Sequence, residues 1–349
     1  MHYAEQSLLG ALLLDPHRLH DIGPMDPDHF ADHTHGELFR ALRTAPAPEP
    51  HTSPAWLNTV LDTARPHAPG LTAPYLHTLI QACPWPNHAA AYARMIRADH
   101  ARRSLRAQAE RLAQTAVDTA LPHRVKATIR QADALARLLD HLSGRFTPHP
   151  GSQPRTPLPP APARDTSQDA RDEERLLIAT ATAHPAEASQ MRWLQPQDFT
   201  HALHAELWQG LTALTQRGDP VDPITVLWEA QHRSLLPHDV TPAQLLALLS
   251  TPVASPEHWG EKILERALLT RAQAVAARIT AYCDDPANSP HQLITGSRRA
   301  LADLTALRTR WHQATSPAIP RTARPARTPA PPRAGPPPRT APPTVRSTR

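Results

Sequence analysis

The stretch PDHFADHTHGELFRAL, residues 27–42, returns further along the chain as PQDFTHALHAELWQGL, residues 196–211. Pro27 matches Pro196, Phe30 matches Phe199, His35 matches His204, Glu37-Leu38 matches Glu206-Leu207, and Leu42 matches Leu211. That makes six identities in sixteen positions, with Phe39 set against Trp208. Similarity of this density marks an internal repeat. It continues downstream, where APYLHTLIQACP precedes AAAYARMIRADHARRSL in the first half as PAQLLALLSTPV precedes EHWGEKILERALLTRAQ in the second. The chain reads as a tandem duplication, so the fold question reduces to the fold of one copy.

Each copy reads as helical. The opening AEQSLLGALLLDP, residues 4–16, places Leu8, Leu9, Leu12 and Leu13 on one helical face, and Asp15-Pro16 supplies a cap and a first-turn proline for the next helical segment. Thr34 and Glu37 have the spacing of a capping box, Thr72 precedes a helix bearing Leu76, Leu79 and Ile80, and Asn87 stands at the start of a long Ala/Arg-rich helix. In the second copy one device recurs at Asp222-Pro223, Thr241-Pro242, Ser255-Pro256 and Ser289-Pro290, a capping side chain followed by proline at the first helical position. Each copy ends in two longer helices broken near Leu121-Pro122 and near residues 284–289. Val125, Ile129, Ala132, Ala136 and Leu139 form a seam of alternating four and three spacing, suited to an antiparallel hairpin packed on another hairpin.

Proline divides the chain. Residues 146–171 carry seven prolines without apolar periodicity, and residues 313–349 are almost entirely Pro, Arg, Ala and Thr. The expectation is a helical domain over 1–145, a disordered proline-rich linker over 146–171, a second helical domain over 172–312 and a disordered tail over 313–349. The tail holds Arg321, Arg324, Arg327, Arg333, Arg339, Arg346 and Arg349 and no acid, while the whole chain has a formal net charge of +5. The remainder is therefore slightly acidic, and the basicity reads as a property of the tail rather than of a folded surface. No apolar run is long enough for a membrane span and no secretory signal is visible; with only Cys83 and Cys283 far apart, a reduced cytoplasm is the expected compartment.

A compact helical head followed by a long hairpin resembles the N-terminal domain of DnaB-type replicative helicases. AEQSLLGALLLDP resembles the first helix of that family, FADHTHGELFRAL its aromatic-His-aromatic helix, and YLHTLIQACPWPNHAAAYARMIR the approach to the hairpin, ending at Tyr92, Ala93 and Arg94. In the second copy QRGDPVDPITV, residues 216–226, resembles the family's Gly-x-Pro turn, which the first copy replaces with TAPAPEPHTSPAW, while EERLLIATATAHP is a degraded opening. The resemblance implies an all-α fold of two tandem domains, each a head plus a hairpin. It also implies contacts with primase, replicative helicase or a loader.

The helicase motor needs a phosphate-cradling Gly-x-x-x-x-Gly-Lys-Ser/Thr loop, and the only lysines, Lys126 and Lys262, stand inside helical patterns without a glycine-rich loop. No ATPase activity, catalytic residue or cofactor is expected. For His29, His33 and His35 with Asp28 and Asp32, the family resemblance already explains the His35 and His204 position, and histidine is abundant throughout the chain with 22 residues, so no metal is expected either. Trp56, Trp193, Trp208, Trp228 and Trp259 are read as core or cap residues rather than base-stacking platforms.

Candidate partner-binding residues are Tyr92, Arg94 and Arg97 at the start of the first hairpin, Ile129 on its return helix, and Trp259 and Ile263 on the second hairpin. Three classes of function stay open: a non-catalytic replication adaptor, a nucleic-acid-binding accessory protein acting through the seven tail arginines, and a helicase subunit without its own motor. The hairpins, 88–142 and 256–308, each carry an apolar seam: Tyr92, Ile96, Ile129 and Leu139 in one, Trp259, Ile263, Leu293 and Leu304 in the other. These seams are expected to pair within the chain or between chains of a homo-oligomer.

Overall fold

The computed structural model describes residues 1–46, 48, 53–146, 152–160, 167–234 and 240–316. The seven tail arginines lie outside the described residues, as do residues 147–151 and 161–166 of the linker. Among the described residues there are α-helices, short 3-10 turns and no strand.

In the first copy the head is built from α1 (His2–Leu14), α2 (His33–Thr44), α3 (Pro54–Ala64) and α4 (Ala73–Gln81), and the hairpin from α5 (Ala89–Val117) and α6 (Arg124–Arg145). The second copy repeats the order. Its head comprises α7 (Gln168–Ala183), the one-turn α8 (Pro185–Ala188), α9 (Ala202–Arg217), α10 (Pro223–His232) and α11 (Pro242–Leu249), and its hairpin α12 (Pro256–Asp284) and α13 (Pro290–Thr315). Both outgoing hairpin helices have 29 residues, about 44 Å of helix.

The proline-led starts form as their local chemistry dictates. Asp222, Thr241 and Ser255 accept backbone N–H bonds from the first turns of α10, α11 and α12, and Ser289 exchanges bonds with Gln292 at the start of α13. Ser53-Pro54 opens α3 in the same way, and Asp15 accepts from the His17 N–H to start a 3-10 turn at Pro16. Two starts differ from expectation. Asp32, not Thr34, caps α2 by accepting from the Thr34 N–H at 2.8 Å, because Asp32 is the last residue with extended backbone. Asn87 lies in a 3-10 turn, Pro86–His88, where Pro86 leads, and its side chain instead accepts from Arg18 at 2.6 Å.

The core of the first head joins the α1 leucines Leu8, Leu9, Leu12 and Leu13 to Phe30, Leu38, Phe39, Leu42, Leu79 and Ile96. Gly10 is required where α1 crosses α4, since a Cβ there would collide with the Leu79 carbonyl. The opening of the second copy, degraded in sequence, folds as α7 with Leu177, Ile178 and Ala181 fully buried. Trp56, Trp193 and Trp208 are buried, and Trp259 is half-buried. Trp228 departs from its expected core role: it is 59% exposed on α10 and stacks on His232 at 5.2 Å, because the buried face of that helix is taken by Val226, Glu229 and Ala230.

Candidate functional site

The candidate site is the junction of the two hairpins. On α5 the buried positions Ala101, Leu105, Ala109, Leu112 and Ala116 match Leu268, Ala272, Ala276, Ile279 and Cys283 on α12, position for position through the repeat. These residues and the α6 and α13 leucines Leu135, Leu139, Leu142, Leu293, Leu304 and Leu307 belong to one continuous apolar core with the second head. The hairpins therefore pair within the chain.

The pairing is antiparallel. Arg102, near the first head, reaches the turn between α12 and α13, while the end of α5 at Ala116 lines a cleft with Lys262, Arg266 and Leu269 near the start of α12.

Polar contacts lock the register. The Arg102 guanidinium donates to the carbonyls of Cys283 (2.8 Å) and Asp285 (2.7 Å), orphan acceptors at the C-terminus of α12, and to that of Asn288 (2.6 Å) in the turn that follows. Arg106 pairs with Asp284 at 2.9 Å, Arg298 with Asp140 at 2.6 Å, and Arg308 with Asp133. Part of the linker joins this turn. Pro154 lies over Gly296, where a Cβ would collide with its ring, Thr156 donates to Asp285 at 2.6 Å, and the buried Asn288 donates to Thr156 at 2.7 Å. The Thr156 hydrogen bond, with the Ala287 N–H, holds the Asp285 carboxyl below the usual carboxylate range. Burial pushes the Cys283 thiol up to about 11.

Each head carries a buried carboxylate–imidazole pair that sequence reading missed. Glu5 on α1 meets His35 Nδ1 at 2.8 Å and accepts from the Ala31 N–H at 2.6 Å; Glu174 on α7 meets His204 Nδ1 at 2.9 Å and accepts from the Thr200 N–H at 2.6 Å. Burial alone would raise both carboxyls, but the hydrogen bonds from the histidines and backbone outweigh it and both are lowered. His35 and His204 were visible as a repeated pair in the sequence, and their partners repeat with them, since Glu5 and Glu174 each stand 30 residues upstream; that shared interval was the signal that could have found them. His2, Asp32 and His35 offer ligand atoms within 4.8 Å of one another, but both His35 nitrogens are engaged, Nδ1 by Glu5 and Nε2 by Tyr75 Oη at 2.8 Å.

The sequence-derived partner residues fall in three places. Tyr92 is half-buried against the first head, beside the fully buried Ile96, so the head covers both and neither belongs to the seam between hairpins. Arg94 is exposed, whereas Arg97 donates to the carbonyls of Ile22 (2.9 Å) and Pro24 (3.3 Å) and serves to hold the head on α5. Trp259 and Ile263 occupy the positions equivalent to Tyr92 and Ile96. Trp259 Nε1 donates to the Val253 carbonyl at 2.6 Å, and Ile263 is fully buried with no surface to offer a partner. Ile129 is half-buried beside a cavity of about 80 Å³ with Leu268, Leu301 and Leu304, within the hairpin junction.

Fold and site together define a helical pairing module, two head-and-hairpin units sealed through their hairpins. A family model described as the DnaB-like helicase N terminal domain matches residues 1–98 and again residues 166–264, together more than half of the chain, and the chain belongs to that family. The replicative DNA helicase DnaB of Mycobacterium leprae (strain TN) is 28% identical over 121 residues, which is 34% of this chain and 20% of that protein. The chain thus aligns with one fifth of the length of that relative. No solved structure matches. Among the described residues no helix is long and apolar enough to cross a membrane.

Proposed function

We propose that this chain is a non-catalytic DNA-replication adaptor, a duplicated helicase collar domain that binds primase, replicative helicase or a loader through its helical hairpins. The observation that carries the reading is the internal pairing. The surface through which one copy would join another is filled by the second copy of the same chain, which leaves the outer faces of the heads and hairpins for a different protein. Membership of the DnaB N-terminal family and the likeness to a replicative helicase point to replication as the setting. The lack of catalysis rests on chemistry: Lys126 and Lys262 sit within α6 and α12, where neither can reach over a glycine-rich phosphate loop. The cytoplasm, where such partners work, is the proposed location.

The test is sedimentation of the purified full chain, alone and mixed in turn with the primase, the replicative helicase and the loader of its own cell, beside an ATPase assay with single-stranded DNA. The reading expects a complex with one of the three and no hydrolysis by the chain alone. Hydrolysis by the chain alone, or failure to associate with any of the three, overturns it.

A further inference from the structure

Charge on the folded part is not evenly spread. Residues 89–145 hold eleven Arg and Lys against five Asp and Glu, whereas residues 1–88 hold four against nine. The basic character of the chain is therefore not confined to the tail: the first hairpin is a cationic element beside an acidic head. Many of its arginines are consumed internally, Arg97 and Arg102 on carbonyls and Arg106 on Asp284. The outer face of α6 is different. Lys126, Arg130 and Arg137 project from it, all exposed, and no hydrogen bond or ion pair joins them to any of the described residues. The two acids on the same face, Asp133 and Asp140, are already neutralised by Arg308 and Arg298 of α13.

We infer that this face of α6 is a ridge that binds the phosphate backbone of double-stranded nucleic acid without reading its bases. The spacing suits the ligand. Lys126 and Arg130 are one helical turn apart, about 6 Å along the axis, and Arg137 lies about 10 Å further on, against a duplex that offers a charge about every 1.7 Å. Two features turn the ridge away from other polyanions. No large hydrophobic residue of α6 is exposed, so the ridge lacks the apolar centre of a protein interface. Residues 124–145 contain no Phe, Tyr or Trp, so single-stranded bases have no stacking platform. This inference stands apart from the adaptor reading, since it concerns a surface that hairpin pairing leaves open.

The test is fluorescence anisotropy of the full chain with a labelled 20-base-pair duplex across a salt series. Three proteins are compared: the wild type, a ridge variant (Lys126→Gln, Arg130→Gln, Arg137→Gln), and a charge-matched variant (Arg40→Gln, Arg65→Gln, Arg175→Gln). The arginines of the last pair with neighbouring carboxylates at 3.3, 3.1 and 3.4 Å on the heads. The tail contributes equally to all three. The ridge variant should lose about 2.7 from the slope of log affinity against log salt and bind at least about tenfold more weakly at 100 mM salt, while the charge-matched variant keeps the wild-type slope within about 0.5. Arg130→Gln alone should remove about 0.9, and Lys should substitute for Arg at 130 and 137 without loss, which separates charge from folding. The inference is overturned if the ridge slope equals the wild type, if the charge-matched variant falls as far, or if polyglutamate displaces the duplex at equal charge concentration. It is also overturned if a single strand of the same sequence binds more tightly than the duplex.

Discussion

Arg102→Ala removes the residue that ties the first hairpin to the turn of the second. Its three N–H donors reach the carbonyls of Cys283, Asp285 and Asn288 at 2.6–2.8 Å, lengths typical of charge-assisted bonds. A bond to a charged donor contributes about 1.5–3 kcal/mol, but three bonds from one guanidinium are not additive and the turn is partly hydrated, so the total loss is set at about 3 kcal/mol. Arg102→Lys should recover only a fraction, because an ammonium cannot span three carbonyls in one plane. The assay is amide hydrogen exchange around residues 282–289, where about 3 kcal/mol corresponds to roughly a hundredfold faster exchange. Protection of that turn within threefold of wild type in Arg102→Ala would contradict this role and show that apolar packing alone holds the hairpins together.

Leu105→Ala, at a fully buried position in the hairpin junction, should cost about 2–5 kcal/mol, read as a lower melting temperature shared by both copies rather than by the first alone. Sedimentation velocity should show a monomer across the micromolar range, since the seam is closed within the chain; a concentration-dependent dimer abolished by Ile129→Glu would contradict that. Glu5 and Glu174 have lowered folded-state values, so their stabilisation is present above the ordinary 4.5 and is lost as pH falls below it; Glu5→Gln with Glu174→Gln should flatten this acid limb in urea titrations. His29 is held down to about 4 by burial and by the neighbouring His100 and Arg145, so stability should decline as pH falls from 6.5 towards 4, where the unfolded chain takes up a proton that the folded chain refuses. His29 Nδ1 accepts from the Asp26 N–H while Nε2 faces Arg145 at 3.0 Å, and a neutral ring accepts at only one nitrogen. His29→Asp, the residue found at the equivalent Asp198 where it takes both the Gln195 N–H and Arg310, should raise the melting temperature and remove that decline.

The features legible in the sequence alone were local or repeated. The Asp-Pro, Thr-Pro and Ser-Pro starts could be read because a cap and the N–H it accepts lie two or three residues apart, so the chain meets its own partner before anything else packs. The α1 leucines and the duplicated His35/His204 position could be read because helical period and repetition survive without tertiary information. Tertiary packing set the rest. Glu5 and His35 meet only once α1 lies across α2; Arg102 was one of many arginines until antiparallel docking brought the α12 terminus to it; and Tyr92 looked like a free seam residue until the head closed over it. On α6 the decisive fact was which charges α13 neutralises, Asp133 and Asp140, leaving Lys126, Arg130 and Arg137 in water. The contacts that Arg102, Arg298 and Arg308 make join residues more than a hundred apart in the chain, and linear spacing carries no record of which surfaces meet at that distance.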